Sequence, residues 1–185
     1  MPKVSVVIPN YNGKKYLAVC LRSLPLGESS YEFLVVDNGS TDGSLLLLKE
    51  QFPQVRLIEM GYNSGFSAAV NAGIKAADSP YVILLNNDTM VKEGFVEQLY
   101  RHIDSKKNLF SVQAMMVSMK KPDEIDSAGD YYCSLGWAYA LGKGRDRAGY
   151  ATPRKIFSSC AGAAIYRKSV FEKMGYFDEQ HFAYL

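Results

Sequence analysis

Along the first hundred residues the apolar and polar positions recur in one order: a short apolar run, a polar break, then apolar residues at helical spacing. Val4-Ser5-Val6-Val7-Ile8, Phe33-Leu34-Val35-Val36, Val55 to Met60 and Val82-Ile83-Leu84-Leu85 are the short runs, and each predicts a strand. Pro9 should stop the first of them. Between the runs, Leu17, Cys20, Leu21 and Leu24 share one helical face that ends near Pro25 and Gly27. The leucines at 45 to 48 open a second helix behind the capping-rich loop Asn38-Gly39-Ser40-Thr41-Asp42-Gly43. Ala68, Ala69, Ala72, Ala76 and Ala77 mark a third, whose small side chains let it lie close to a sheet or a ligand. A fourth is expected from about Lys92 to Ile103. Strands alternating with amphipathic helices predict βαβ units, a parallel sheet and right-handed crossovers.

After Ser105 the rhythm changes. Phe110 to Met119 reads as a strand, and Lys120 to Arg154, rich in glycine and tyrosine without a clear period, reads as hairpins and loops beside a cleft. Ile156 to Tyr166 returns to strand character around Cys160-Ala161-Gly162-Ala163-Ala164, and Lys168 to Met174 predicts a short helix. No internal repeat and no linker separates two domains, so a single domain over 1–185 is expected.

The polar residues that follow the strands carry the candidate chemistry. Asn10 to Asn12, Asp37 with Asn38, and Asn86-Asn87-Asp88 stand at the carboxyl ends of three predicted parallel strands, and such ends share one edge where ligands gather. A nucleoside diphosphate fits: Asp37 can accept hydrogens from a base or ribose, Tyr11 can stack on the base, and a divalent cation near Asp88 can neutralise the diphosphate. Asp88 has a second reading, as a cap of the helix near Lys92 or part of a turn with Thr89. Neither a Gly-x-x-x-x-Gly-Lys-Ser/Thr loop nor a Gly-x-Gly-x-x-Gly after the first strand is present. ATP hydrolysis and dinucleotide redox chemistry both lose ground, and a cation becomes the natural substitute for a glycine-rich phosphate cradle.

Bulk composition narrows the class further. The chain has 185 residues, 48% hydrophobic and 22% charged, enough for one well-buried core. Its net charge of +2 comes from scattered Lys and Arg, so no nucleic-acid partner is expected. Cys20, Cys133 and Cys160 are odd in number and far apart, which suits buried thiols in a reducing cytosol. The strand pattern begins directly at Val4 and no apolar run is long enough to span a membrane, so a soluble cytoplasmic domain is expected, with room for peripheral association at the inner face of the membrane. His102 has no partner at ligand spacing and reads as a surface or capping residue. Trp137 with Tyr131 and Tyr132 reads either as a sugar-stacking wall or as loop packing.

Four ordered segments closely resemble the successive motifs of family two glycosyltransferases. They are Val4 to Asn12, Val35 to Ser44, Asn63-Ser64-Gly65-Phe66 with Asn71 and Gly73, and Leu84 to Asp88. Gly162-Ala163-Ala164 with Phe177-Asp178-Glu179 is similar to the rhamnosyltransferase-like branch. The resemblance implies a GT-A fold: an α/β, Rossmann-like, mostly parallel sheet flanked by helices, with a loop-rich acceptor-side region. It implies a nucleotide-binding half over 1–104 and an acceptor-side half over 105–185. The activity it implies is inverting transfer of a sugar, of hexosyltransferase type, from a nucleoside diphosphate sugar to a hydroxyl of a glycan or lipid-linked acceptor, as in bacterial cell-surface polysaccharide synthesis.

Carried over by position, Pro9, Asn10, Tyr11, Asn12, Asp37, Asn38, Asn63, Gly65, Phe66, Asn87 and Asp88 would bind the nucleotide. Gly162, Ala163 and Asp178 would lie on the acceptor side. Asp88 would end an Asp-x-Asp-type motif for Mg²⁺ or Mn²⁺, with Asn86 at the first acidic position, where an amide binds a hard cation less strongly than a carboxylate. In similar proteins the acidic pair carrying the catalytic base follows a segment like Phe177 to Leu185. The base is therefore expected beyond Leu185, the chain reads as cut short before it, and Asp178 and Glu179 are only weak substitutes. The alternative is a non-catalytic nucleotide-sugar-binding module or an inactive truncated domain.

Overall fold

A computed structural model describes residues 1–182. The elements run β1 (Val4–Asn10), α1 (Lys14–Arg22), β2 (Tyr31–Asp37), α2 (Ser44–Gln51), β3 (Arg56–Glu59), α3 (Gly65–Ala76), β4 (Tyr81–Leu85) and α4 (Phe95–Asp104). They continue with β5 (Ser111–Gln113), β6 (Met116–Val117), β7 (Ile125–Ser127), β8 (Asp130–Tyr132), β9 (Ala138–Ala140), a 3-10 turn at Arg147–Tyr150, β10 (Ala163–Arg167) and α5 (Lys168–Met174). Six strands form one sheet in the order β3-β2-β1-β4-β10-β5. The β1–β2, β1–β4 and β2–β3 pairs are parallel, whereas β10 runs antiparallel to both β4 and β5.

The central strands β1, β2 and β4 read as largely apolar runs because both faces of the sheet are covered there, whereas the edge strand β3 exposes Arg56 and Glu59. Alternation then sorts their side chains. Val4, Val6, Ile8, Ile83 and Leu85 pack with Leu17, Leu21, Leu48, Leu99 and Ile103 of α1, α2 and α4. Val7, Leu34, Val36, Val82 and Leu84 pack on the other face with Ala69, Val70 and Ile74 of α3 and Phe171 of α5. The small residues of α3 are a steric requirement: a Cβ at Gly73 would come within 2.2 Å of Val7 Cγ1. No larger side chain fits there without moving the helix off the sheet.

The first hundred residues fold in the expected sequence of elements, but β1 runs through Pro9 to Asn10, where only β2 still pairs with it, and α4 starts later than Lys92, after Gly94 in the left-handed region at φ +77°. The later expectations need correction. Phe110 to Met119 is not one strand but two short ones in different sheets, and only Ala163–Arg167 of the run from Ile156 is strand. Phe110 instead turns its ring edge-on to Tyr166 and Phe171. The region from Lys120 to Arg154 is hairpins and loops, as its composition suggested. Among the described residues no helix is long and apolar enough to cross a membrane.

Candidate nucleotide-sugar cleft

The carboxyl ends of β1, β2 and β4 lie side by side, as their parallel register requires: Asn10 stands opposite Asp37, and Val7 opposite Leu84. Their polar extensions knit together. Asn10 Nδ2 donates to Asp37 Oδ1 at 3.0 Å, and Asn10 Oδ1 accepts from Asn87 Nδ2 at 2.8 Å, so one buried amide bridges all three strand ends. Asn38 donates to Asn63 Oδ1 at 2.9 Å and to the Gly65 carbonyl at 3.1 Å, and it accepts from the Ser64 backbone and hydroxyl. That amide fixes the turn entering α3. Asn12 adopts φ 49° and accepts from the Thr41 amide, closing the β1 turn against the β2 loop.

A cavity of about 1090 Å³ opens beside these ends. Of the expected nucleotide residues, Pro9, Asn10, Tyr11, Asn38, Asn63, Gly65, Phe66, Asn87 and Asp88 line it, as do Asn86 and Gly162. Tyr11 is 50% exposed, leaving its ring free to stack on a planar ligand. Asn12, Asp37, Ala163, Asp178 and Glu179 do not border it. Asp37 is the instructive one. At 1% exposure it lies beneath the wall, its oxygens accepting from Asn10 Nδ2 and from the Ser40 amide at 2.9 Å. Ala163 is buried in the sheet opposite Leu85.

The acids near the end of the described chain are engaged elsewhere. Asp178 accepts from the Gln180 amide at 3.0 Å and lies 3.3 Å from His181 Nδ1. Glu179 accepts from Asn71 Nδ2 at 2.9 Å. Asn71 also exchanges two hydrogen bonds with the Phe177 backbone, and the Phe66 amide donates to the Phe182 carbonyl at 2.7 Å. The segment Phe177 to Phe182 is thereby strapped along α3 and reaches the cavity at Phe182. Of the expected segment Phe177 to Leu185, the last three residues lie outside the described ones.

Asp88 is exposed, and among the described residues its carboxylate accepts no hydrogen bond. The cap reading fails, because the residue before α4 is Gly94 and no side chain caps that helix. The turn is instead closed by the Thr89 hydroxyl, which donates to the Asn86 carbonyl at 2.7 Å. Among the described lining residues there is no Lys, Arg or His, and the charged ones are Asp88 and Asp130. No three His, Cys, Asp or Glu side chains cluster there to hold a metal unaided. One carboxylate beside two amides could hold a cation only with further oxygens from water or a bound phosphate.

Sequence reasoning missed Asp130, Phe157 and the Ser158–Ala161 stretch, which form the far wall. Burial raises the Asp130 carboxyl above its usual range, partly offset by the Ser127 hydroxyl. The signal available was the alternation in Asp130-Tyr131-Tyr132 and Ala138-Tyr139-Ala140, a half-exposed aromatic hairpin.

Sheet order, the antiparallel β10 and a cleft at the parallel strand ends define an α/β protein of the GT-A type. Solved structures share this fold. Staphylococcus aureus TarS in complex with UDP superposes with a TM-score of 0.67 at 22% identity over 97% of this chain and 51% of that one. The mannosyltransferase PcManGT from Pyrobaculum calidifontis, in complex with GDP-Man and Mn²⁺, gives 0.65 at 17% identity over 96% of this chain and 48% of that one. The chain belongs to glycosyl transferase family 2, whose model matches residues 5–175. Glycosyltransferase GlyG of Streptococcus pneumoniae is 35% identical over 107 residues, 56% of this chain and 36% of the relative. The uncharacterized glycosyltransferase YibD of Escherichia coli is 36% identical over 141 residues, 74% of this chain and 35% of the relative. The chain thus spans about half the length of the solved structures and aligns with about a third of these relatives.

Proposed function

We propose that this chain binds a nucleoside diphosphate sugar in the cleft and belongs to an enzyme that transfers the sugar, with inversion, to a hydroxyl of a glycan or lipid-linked acceptor in cell-surface polysaccharide synthesis. The observation that carries the reading is the convergence of three strand exits on one cavity in which Asp88 stands exposed, without a partner among the described residues, beside Asn86 and Asn87. Tyr11 stacks on the base, while Pro9, Asn10, Asn38 and Asn63 shape the base and ribose pocket. Asp37 acts from behind by holding Asn10 and the Ser40 turn, and Asn12 ties those two loops together. Gly65 and Phe66 border the nucleotide at the start of α3. Gly162, Ala163 and the strap at Asp178 belong to the acceptor side, and the whole works in the cytoplasm or at the inner face of the membrane.

A diphosphate entering a cavity whose charged lining residues are carboxylates requires a counter-charge. Mg²⁺ or Mn²⁺ held at Asp88, with Asn86 or Asn87 as a neutral oxygen donor, would supply it and stabilise the leaving diphosphate. Inverting transfer also needs a carboxylate to accept the proton of the attacking hydroxyl. Asp178 and Glu179 are committed to Gln180 and Asn71, which favours a base supplied from beyond Leu185. The same observation supports a second reading, a donor-binding module that does not catalyse.

Calorimetry with UDP, dTDP and GDP, each with and without Mn²⁺, tests the cleft. Mn²⁺ should tighten one nucleotide by about tenfold or more, and Asp88→Ala should abolish that gain. Tightening that survives in the variant would place the cation elsewhere, and a chain that binds none of the three would end the donor reading.

A further inference from the structure

The far wall of the cavity is built unlike the near one. β8 and β9 pair antiparallel, with Tyr131 opposite Tyr139, and those rings stack at 5.9 Å between centroids, 20° apart. On the other face Tyr132 stacks on Phe157 at 6.1 Å and 22°. These two residues are 57% and 69% exposed, yet both line the cavity. Their spacing is not left to loop motion. The Asp130 and Ser158 backbones exchange hydrogen bonds of 3.1 Å in both directions, and the Phe157 amide donates to the Asp130 carbonyl at 3.2 Å. The Tyr131 hydroxyl donates to the Lys155 carbonyl at 2.8 Å, pinning that ring as well. Asp130 therefore stands at the foot of a fixed aromatic platform, inside the same cavity as Asp88.

We propose that this platform is the acceptor subsite and that it takes a neutral pyranose ring, with the exposed surface of the stacked Tyr132–Phe157 pair against the sugar's C–H face and Asp130 accepting from its hydroxyls. The proposal rests on the sugar-transfer reading of the same cavity. Aromatic rings and a carboxylate suit a saccharide, which presents an apolar face of C–H bonds and a rim of donors. The charge pattern favours a neutral acceptor unit here over a phosphate-bearing one. Three basic side chains of the neighbouring loops are turned to other partners, Lys143 to Asp126 at 3.3 Å, Arg147 to Asp123 at 3.4 Å, and Arg154 over the Tyr150 ring at 4.7 Å, while Arg145 and Lys155 do not line the cavity. A phosphate beside Asp130 would meet a like charge without a compensating cation among the described lining residues.

Trp137, the chain's single tryptophan, supplies a probe at the tip of the hairpin, where its carbonyl accepts from the Cys133 amide. Maltotetraose, cellotetraose and chitotetraose are titrated at millimolar concentrations against Trp137 emission, with saturation transfer from the aromatic rings read in parallel and UDP affinity measured on the same samples. At least one tetrasaccharide should bind. Phe157→Ala and Asp130→Asn should each weaken it by about tenfold while UDP affinity stays within about twofold, and Phe157→Tyr should restore binding. Phe157 is exposed and Asp130 half-buried, so the folded state of each variant is checked by its unchanged UDP affinity. The proposal is overturned if no tetrasaccharide binds while UDP does, or if binding ignores both substitutions. Preference for glucose 6-phosphate or for phosphatidylglycerol vesicles over every neutral tetrasaccharide overturns it too. Saccharide binding without nucleotide binding would support the subsite and sink the donor reading; binding of neither would sink both.

Discussion

Asn10 and Asp37 are joined side chain to side chain across adjacent strand ends, Nδ2 to Oδ1 at 3.0 Å, and both are buried. Asn10 lines the cavity and Asp37 does not, so the proposed nucleotide role of the acid runs through the amide it holds. Asp37→Asn keeps the shape but sets an NH₂ group against one of two donors, Asn10 Nδ2 or the Ser40 amide. Leaving a buried donor unsatisfied costs about 1–3 kcal/mol. Urea unfolding should show a loss of that size, accompanied by weaker nucleotide binding in calorimetry. Weaker binding with no loss of stability would mean that Asp37 contacts the nucleotide directly.

The strap along α3 has contacts at its two ends that can be cut separately. Asn71 is buried and grips the Phe177 backbone through both its amide atoms. Asn71→Ala should cost about 1–3 kcal/mol and raise hydrogen exchange at the Phe177 amide. Gly65 sits at φ +84°, and a Cβ there would lie 2.6 Å from the Phe182 carbonyl oxygen. Gly65→Ala should therefore release the Phe66 amide from Phe182 while leaving Phe177 protected. Equal exchange at both amides in the two variants would show that the strap opens as one unit.

The central strands β1, β2 and β4 were legible because a sheet covered on both faces demands largely apolar runs, and Val4 to Ile8 or Val82 to Leu85 fit nowhere else. Convergence of Asn10, Asn38 and Asp88 followed from topology alone, since parallel strands put their exits on one edge. What sequence could not reveal was depth: nothing in Val36-Asp37-Asn38 says that Asn10 would cover the acid. The second half was harder for a different reason. β6 to β9 are two or three residues long, and their positions depend on pairings such as Ile125 with Arg145 or Asp130 with Ser158, which no local period encodes. Asn71 and Phe177 were both visible as parts of the family's motifs, but their 106-residue contact required the fold.

At the opposite end of the sheet from the cleft, Glu32 accepts hydrogen bonds from three different residues. Ser5 Oγ lies 2.6 Å from its Oε2, the Asp78 amide donates to the same oxygen at 3.1 Å, and Arg56 donates to Oε1 at 2.9 Å. Burial pushes this carboxyl up, but those donors outweigh it and hold it below its ordinary value of 4.5. A carboxylate depressed in the folded state contributes stability that is complete above its unfolded value and is lost as pH falls through the folded one. Arg56 is about half exposed, so solvent screens the pair and the contribution at neutral pH is on the order of 1 kcal/mol. Glu32→Gln should accordingly be less stable than the parent chain at about pH 7, with the gap closing as pH falls below about 4.5. Asp42, also held low against its burial by the Ser44 hydroxyl and backbone amides, titrates in both proteins and cancels from the difference. Paired urea midpoints across this range decide the matter: a gap that stays constant with pH would assign Glu32's contribution to packing and neutral hydrogen bonding rather than to its charge.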